Sequence, residues 1–321
     1  MNHCLRRPRA TLVRTLCLLC ALCTAWARAE DCPDTDPDAL AWLDRMAHSL
    51  NQASYSGVVT LQRGEQMQVL QVSHLVEDGV ATEKLLQLTG QGAEVVRMNH
   101  PLSCIHPGGR LLLQDGASQQ DHCGIARNYR LSVADGDRIA GRQAVRILVQ
   151  PRDMYRYGYV MDLDRETGLP LRTQTLGQDA LVLEQFQFAK LAYGAEPAAE
   201  TDVAVLHEAT HPGPASGQGE GDDPAGPPWQ INWLPHGFTA TDRPAPDGAR
   251  RTYTDGLAVF SVFLEHLGRE IRSGEGVARN GATTSYTRGM HFAGGPVLVT
   301  VIGEVPVNTA RMVADSVAGV P

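Results

Sequence analysis

The sequence predicts a mainly β protein of the α+β class, with a large β-rich domain followed by a smaller αβ domain. Three observations support this prediction. One amphipathic helix precedes about nine short runs in which apolar residues recur with a period of two. A window rich in proline and glycine then separates these runs from a second group of strands and a final helix.

The helix is predicted to begin after Asp36. Aspartate is a preferred N-cap residue, and Pro37 suits the first helical position. Apolar residues then recur every three or four positions as far as Leu50, so one face of the helix is apolar.

After the helix, the apolar residues alternate with polar ones, which is typical of strands. The predicted strands are Tyr55–Gln62, Gln66–Val76, Thr82–Thr89, Glu94–Asn99, Arg110–Gln114, Ala144–Gln150, Tyr155–Asp164, Leu171–Leu176 and Leu181–Lys190. Asp164–Gly168 has the composition of a hairpin loop with Gly168 at its left-handed position. Such short connections favour an antiparallel meander.

A linker is predicted near the middle of the chain. Ten of the eighteen residues in His211–Pro228 are proline or glycine, so no core can form there. The predicted division is residues 30–205 for the first domain, 206–228 for the linker and 229–321 for the second domain. The second domain's predicted elements are the strands Trp229–Ala240, Arg251–Glu265, Thr283–Phe292 and Val297–Val305, and a helix that Pro306 opens.

The first 29 residues have the pattern of an export signal. Basic residues precede an apolar stretch from Leu16 to Ala25, and Ala27-Arg28-Ala29 has the small-x-small pattern of a cleavage site. No later segment has the roughly 18 to 20 apolar residues that a membrane helix needs. We therefore expect residues 1–29 to be a signal peptide and the mature chain to be a soluble periplasmic protein.

The charge balance argues against nucleic-acid binding. The chain has 28 Lys and Arg against 36 Asp and Glu, a formal charge of −8. Five of the arginines lie in residues 1–29, and without that segment 23 basic residues face 36 acidic ones, a charge of −13. Phosphate backbones and anionic membrane surfaces repel a protein this acidic.

Three of the seven cysteines, Cys32, Cys104 and Cys123, follow the predicted signal peptide. Export places them in an oxidising compartment. A bridge between Cys104 and Cys123 would restrict the unfolded chain by roughly 3 kcal/mol. We predict this disulfide, which leaves Cys32 as either a free thiol or an intermolecular partner.

His207-Glu208-Ala209-Thr210-His211 matches the H-E-x-x-H pattern of zinc proteases. That pattern works on a helix, where residues i and i+4 share a face. Here proline follows directly at position 212 and again at 214, so a helix is not expected. The chain also has no G-x-S-x-G elbow and no phosphate-binding loop, and we expect neither catalytic residues, metal nor cofactor.

The stretch from Arg152 to Asp164 is rich in large side chains. Strand alternation would place Tyr155, Tyr157, Tyr159 and Met161 on one face. Such a face is either ordinary core or the wall of an adaptable apolar cavity for an acyl chain. Periodicity alone favours core.

Several blocks of the sequence, taken together, resemble the RseB/MucB family, and they extend over nearly the whole mature chain. The blocks are Ala41–Met46, Tyr55–Gly57, Arg138–Arg142, Pro151–Tyr159, Leu163–Leu171, Trp233–Phe238, Tyr253–Phe263 and Gly303–Pro306. The resemblance implies an N-terminal unclosed β-barrel with a helix, similar to lipoprotein carriers, and a smaller C-terminal αβ domain.

The resemblance also implies a non-enzymatic function. The family's members regulate the envelope-stress sigma factor from the periplasm by binding the periplasmic part of a single-span anti-sigma factor. They shield it from proteolysis and release it when lipid or lipopolysaccharide binds. A plain lipid or lipoprotein carrier and a zinc protease are the alternatives.

Candidate site residues follow from the strand alternation and from the resemblance. The candidates for lipid contact are Tyr155, Tyr157, Tyr159 and Met161. The candidates for partner binding or interdomain contact are Arg152, Asp153, Arg156, Trp233 and Phe238. The sequence leaves the oligomeric state open, a homo-oligomer included.

We predict that peptide mapping of the unreduced mature protein will recover Cys104 joined to Cys123. Cys32 should react with a thiol reagent in the folded protein, because no cysteine remains to pair with it within the chain. Recovery of Cys32 joined to either of the other two would contradict this assignment.

Overall fold

The computed structural model describes residues 34–77, 80–89, 94–100, 123–194, 205–210, 229–241, 249–268 and 274–319, with backbone alone for 80, 94–100 and 205–210. The predicted signal peptide, Cys32 and Cys104, and most of the predicted linker lie outside these residues. The strand predicted at Arg110–Gln114 does so too. Cys123 is disulfide-bonded, and because its partner lies outside the described residues, the pairing with Cys104 stays a prediction.

The first helix, α1, runs from Pro37 to Gln52, as the sequence predicts. The Asp36 side chain accepts a hydrogen bond from the Asp38 amide at 3.0 Å, and this caps the first turn. The buried side of the helix consists of Ala39, Leu43, Met46, Ala47 and Ser49.

A ten-stranded sheet follows α1, and its strands give the mainly β fold that the sequence predicts. The strands are β1 (Tyr55–Arg63), β2 (Gln66–Glu77), β3 (Val80–Gln87), β4 (Glu94–His100), β5 (Tyr129–Ile139), β6 (Arg142–Pro151), β7 (Gly158–Asp164), β8 (Pro170–Leu176), β9 (Val182–Tyr193) and β10 (Val205–Thr210). Their order is β10-β4-β3-β2-β1-β9-β8-β7-β6-β5, so the edges of this sheet are β10 and β5 and the sheet is unclosed. Neighbours are antiparallel except β10 and β4, which run parallel.

Three details of the first sheet correct the sequence predictions. The strand predicted at Tyr155 begins only at Gly158, because the Asp153 side chain accepts a hydrogen bond from the Tyr155 amide at 2.9 Å and turns the chain. β5 was not predicted, since polar residues interrupt its pattern. β10 occupies the first part of the predicted linker, because its backbone finds hydrogen-bond partners along β4.

The position of β10 also bears on the zinc-protease pattern. His207–Thr210 lies in a strand, so the helix that this motif requires does not form there. His211 lies outside the described residues.

The second sheet has six strands, β12 (Thr239–Ala240), β13 (Arg250–Thr254), β14 (Val259–His266), β15 (Glu275–Asn280), β16 (Thr283–Phe292) and β17 (Gly295–Gly303), in the order β12-β13-β14-β17-β16-β15. The helix α2 (Val307–Asp315) packs on it, and β11 (Trp229–Ile231) pairs with β18 (Val317–Gly319). Its core includes Trp229, Phe260, Tyr286 and Val299.

Here too the predicted bounds need correction. Trp229–Ala240 holds two short strands, because a turn at Pro235–Phe238 interrupts it. Arg251–Glu265 is a hairpin, because the Asp255 side chain binds the amides of Leu257 and Ala258 and reverses the chain. Residues from Pro33 to Pro321 form one compact unit, so the predicted division into two domains stays a prediction.

Asp162 in β7 joins three strands of the first sheet. Its side chain is fully buried and accepts hydrogen bonds from Arg146 Nε at 2.9 Å and Arg172 Nε at 2.8 Å. The two arginines also bind Asp137, and these hydrogen bonds lower the pKa of the Asp137 carboxyl.

Asp164 ends β7 and is the centre of a second polar cluster. Its carboxylate binds Arg142, and it accepts hydrogen bonds from Tyr193 Oη at 2.6 Å and Thr167 Oγ1 at 3.0 Å. Burial alone would raise the pKa of Asp164, but these bonds hold it below its ordinary value. Gly168, at φ +81°, closes the hairpin here as predicted.

No helix in the described part of the chain is both long and apolar enough to span a membrane.

The lowered pKa of Asp164 predicts a loss of stability in acid. A carboxyl whose folded pKa lies below its unfolded value, about 3.9, stabilises the fold above that pH and ceases to do so as the pH falls through the folded pKa. We expect Asp164→Asn to lower the free energy of unfolding at pH 7 and to flatten its fall below about pH 4. Urea unfolding at several pH values measures this, with the exposed Glu65→Gln as control. An unchanged pH profile in Asp164→Asn would contradict the assignment.

Candidate functional site at the junction of the two sheets

The loop between β6 and β7 extends from the first sheet to the second. Arg156, near the end of this loop, has a fully buried side chain. Its NH1 group donates to Asp255 Oδ2 at 2.9 Å, its NH2 group donates to the His236 carbonyl at 2.5 Å, and its Nε donates to Asp153 Oδ1 at 3.2 Å. The Arg156 side chain therefore binds two separate segments of the part of the chain that forms the second sheet.

Asp255 is the acceptor at the centre of this junction. Its Oδ1 accepts from the amides of Leu257 at 3.0 Å and Ala258 at 2.9 Å, and its Oδ2 accepts from Tyr129 Oη at 2.8 Å as well as from Arg156. Burial raises the pKa of the Asp255 carboxyl, while Arg156 and these hydrogen bonds lower it in part. Burial also raises the pKa of Tyr129, which keeps its hydroxyl protonated as a donor.

Aromatic rings cover the buried charge. The Arg156 guanidinium lies 5.1 Å from the ring centroid of Phe238 and 5.5 Å from that of Tyr129. Directly before Arg156, Tyr155 contacts Trp233 edge to face at 5.2 Å, and its carbonyl accepts a hydrogen bond from Thr309 Oγ1 at 2.9 Å. The loop is thus packed against three segments of the chain beyond residue 228.

Two glycines allow this close approach. Gly237 has φ +85°, and a Cβ atom there would lie 2.1 Å from Asn128 Nδ2. Gly256 has φ +102°, and a Cβ atom there would lie 2.8 Å from Ile125 Cγ2. Other residues would be strained at both positions and would push the two sheets apart.

An open groove of about 630 Å³ lies beside the junction. Its wall combines the β6–β7 loop and the start of β7, the connection from β8 to β9, Arg279 of β15, and Pro306–Asn308 before and within α2. Both sheets therefore contribute to one concave surface.

The structure brings most of the sequence-selected residues together. All five candidates for partner binding or interdomain contact lie at or next to the junction: Arg152, Asp153, Arg156, Trp233 and Phe238. Arg152 Nε donates a hydrogen bond to the Ala126 carbonyl there at 3.1 Å. Tyr157 and Tyr159 line the groove. Tyr155 instead packs on Trp233, and Met161 lies farther along β7 with 6% of its surface exposed.

Sequence reasoning missed the partners of these residues. Tyr129, His236 and Asp255 were not selected, and neither were the groove residues Leu181 and Arg279. Asp255 lies within one of the resemblance blocks, and Asp-Gly is a strong turn signal, so that aspartate could have been found as a turn residue. Its pairing with Arg156, 99 residues away, has no local signal.

Among the described residues, no group of three or more His, Cys, Asp or Glu side chains could hold a metal ion.

We predict that Arg156→Met lowers the free energy of unfolding by about 3 to 5 kcal/mol, because it leaves Asp255 buried without its cation. The exposed pair Arg165–Asp135, 3.0 Å apart, is the control, and Arg165→Met should cost less than about 1 kcal/mol. The loss in Arg156→Met should shrink as the pH falls through the raised pKa of Asp255. Equal losses of unfolding free energy in Arg156→Met and Arg165→Met at pH 7 would contradict a structural role for the buried pair.

Two models of one protein family match most of this chain. The family model for the MucB/RseB N-terminal domain matches residues 38–206, and the model for the MucB/RseB C-terminal domain matches residues 223–318. The chain is 38% identical over 292 residues to the sigma factor AlgU regulatory protein MucB of Pseudomonas aeruginosa, covering 87% of this chain and 90% of that protein. It is 29% identical over 265 residues to the sigma-E factor regulatory protein RseB of Escherichia coli K12, covering 77% and 80%.

Solved structures show the same relationship. The crystal structure of MucB in complex with MucA(peri) matches with a TM-score of 0.67 and 36% identity, covering 88% of this chain and all of that one. The crystal structure of MucB alone matches with a TM-score of 0.60, covering 88% and 98%. The resemblance seen in the sequence blocks is confirmed: the chain belongs to the MucB/RseB family, whose members regulate the sigma factors AlgU and sigma-E.

Proposed function

We propose that this protein is a non-enzymatic periplasmic regulator that binds the periplasmic part of a membrane anti-sigma factor. It protects that protein from regulated proteolysis and releases it on sensing lipid or lipopolysaccharide. The observation that carries the proposal is the match along 88% of the chain to MucB in complex with MucA(peri). The hydrogen-bonded junction at Arg156 supports the proposal, because a fixed arrangement of the two sheets offers a partner one preformed surface.

A row of side chains across the first sheet supports the lipid-sensing part. Met161 in β7 is paired with Thr173, Thr173 with Phe186, and Phe186 with Leu61. Directly paired residues lie on the same face of a sheet. This face is therefore continuous from β7 to β1 and is mainly apolar.

The accessible part of this face lies away from β7. Met161 and Tyr159 are about as buried as core residues, whereas Phe186, Leu70, Leu85 and Leu191 are only partly buried around the cluster of Val59 and Phe188. The partly exposed apolar side chains on β2, β3 and β9 offer an acyl chain more accessible surface than Tyr157 and Tyr159, which are buried.

The energy needed for release is modest. A hundredfold loss of affinity for the anti-sigma factor corresponds to about 2.8 kcal/mol. Burial of an acyl chain yields about 0.8 kcal/mol per methylene, so roughly four buried methylenes suffice. The lipid must bind more tightly to the protein without its partner than to the complex, because only a difference in affinity can shift the population.

We expect the mature protein to retain a single-span membrane protein from envelope extract and to slow the first proteolytic cleavage in the periplasmic part of that membrane protein. Lipopolysaccharide should reverse both effects. Retention of lipid without any such membrane protein would instead support a lipid carrier.

Phe186→Gln tests the apolar face. We expect it to bind the anti-sigma factor normally while the lipopolysaccharide concentration for half-release rises about tenfold, a change of about 1.4 kcal/mol. Phe263→Gln, on the second sheet and 37% exposed, should leave release unchanged. If the two variants release alike and both remain folded, this face does not sense lipid.

A further inference from the structure

The hairpin turn between β15 and β16 makes a second contact between the two sheets. Gly281 in this turn has φ +59°, and a Cβ atom there would lie 2.8 Å from Glu184 Oε2 and 3.0 Å from Arg63 Cγ. Ala282, the next residue, is 1% exposed and packs in a buried cluster with Leu183 of β9. These residues of the turn and of the first sheet together form what we call the turn contact.

The first sheet presents a polar row to this turn. Tyr159 is paired with Thr175 and Thr175 with Glu184, and Glu184 is in turn paired with Arg63, so all four share one face. Arg63 Nε lies 3.2 Å from Glu184 Oε2, as an ion pair without the angle of a hydrogen bond. The Tyr159 hydroxyl has no hydrogen-bond partner among the described residues. The row therefore brings one cation, one anion and one neutral hydroxyl to the turn contact.

Glu304, which follows β17, adds a second carboxylate to this row. Its amide donates a hydrogen bond to the Val259 carbonyl at 2.9 Å, which fixes its backbone on the second sheet. Burial raises the pKa of Glu304, the negative charge of Glu184 raises it further, and Arg63 lowers it in part. Burial and then the charge of Glu304 raise the pKa of Tyr159. The charged and titratable groups that face Glu304 are therefore Arg63 of β1, Tyr159 of β7 and Glu184 of β9.

The charges of this cluster do not balance at neutral pH. Glu184 and Glu304 share the single guanidinium of Arg63, and the Tyr159 hydroxyl makes no hydrogen bond among the described residues that would stabilise the extra negative charge. A charge that is taken out of water destabilises a protein unless it is paired. Protonation of one carboxylate removes that cost, and Glu304 is the carboxyl group whose surroundings favour the neutral form.

We propose that the turn contact is sensitive to protons. As the pH falls from neutral to mildly acidic, Glu304 takes up a proton from the solvent, its repulsion with Glu184 ends, and Arg63 is left paired with Glu184 alone. The two sheets then hold together more firmly in mild acid than at neutral pH. This behaviour does not depend on what the protein binds.

The direction of the pH effect follows from the raised pKa of Glu304. A glutamate whose folded pKa lies above its unfolded value, about 4.3, contributes stability that is complete below the unfolded pKa and is lost as the pH rises through the folded pKa. Asp164, whose pKa is lowered, acts in the opposite direction only below about pH 4. Asp255, whose pKa is raised, acts in the same direction, so variants at Glu304 must be compared with the wild type.

Thermal unfolding of the mature protein at about pH 5 and about pH 7.5 tests the role of Glu304. We expect Glu304→Gln to melt about 2 to 4 °C above the wild type at the higher pH, because glutamine mimics the protonated side chain. This gain should shrink towards zero at the lower pH. The exposed Glu65→Gln makes the same change in net charge and should show no gain that depends on pH. Equal gains in the two variants at the higher pH would overturn the proposal.

Arg63→Gln tests the electrostatic environment of Glu304. It removes the cation that faces both carboxylates, so its melting temperature should rise more between about pH 7.5 and about pH 5 than that of the wild type. Arg165→Gln, at an exposed arginine paired with Asp135, is the control and should follow the wild type. A rise in Arg63→Gln no larger than that of the wild type would contradict the assigned cluster.

Hydrogen exchange locates the effect in the turn contact. After correction for the intrinsic pH dependence of exchange, we expect the amides of Asn280–Thr283 to be protected about threefold more at about pH 5 than at about pH 7.5 in the wild type. Glu304→Gln should give equal protection at both pH values. Unchanged protection of this turn in the wild type would mean that Glu304 stabilises the second sheet alone, and the proposal would then be overturned.

Discussion

The ion pair between Arg156 and Asp255 fixes the relation between the two sheets. Both side chains are fully buried, so their polar atoms need hydrogen-bond partners or the desolvation cost is not offset. The structure meets this demand with the Leu257 and Ala258 amides, the Tyr129 hydroxyl and the His236 carbonyl. Each of these groups is positioned by a turn or a strand end, and Gly237 and Gly256 bring those turns close enough. The loop before β7 is bent rather than extended, and this bend places Arg156 next to Asp255.

The bend in that loop also produces the groove. The Met154 side chain is exposed to solvent, whereas the Arg156 side chain is buried. Tyr159 is the second residue of β7. The same strand continues to Met161, which belongs to the apolar row that extends to Phe186 and Leu61. One strand therefore connects the groove beside the junction to the proposed lipid face. A ligand on that face can act on the groove only through a difference in affinity between two arrangements of these elements, and the effect must be reciprocal.

Local chemistry determined which parts of the fold were predictable. The Asp36 cap, the period of α1 and the Gly168 hairpin are each encoded within a few residues, and all three predictions are confirmed. β15 was missed because all six of its residues are exposed, so burial imposes no alternation on them. The strand predicted from Tyr155 failed because the Asp153 side chain competes with the sheet for the backbone. The pairing of Arg156 with Asp255 could not be predicted, since the two residues lie 99 positions apart and only the folded chain brings them near.

Hydrogen exchange of the mature protein, with and without the periplasmic part of the anti-sigma factor, tests the central claim most directly. That claim is that the partner binds where the two sheets meet. The account predicts slower exchange on binding in the β6–β7 loop at Arg152–Tyr157 and in the β8–β9 connection at Gly177–Leu181. Unchanged exchange in both segments, with protection confined to other parts of the chain, would contradict it.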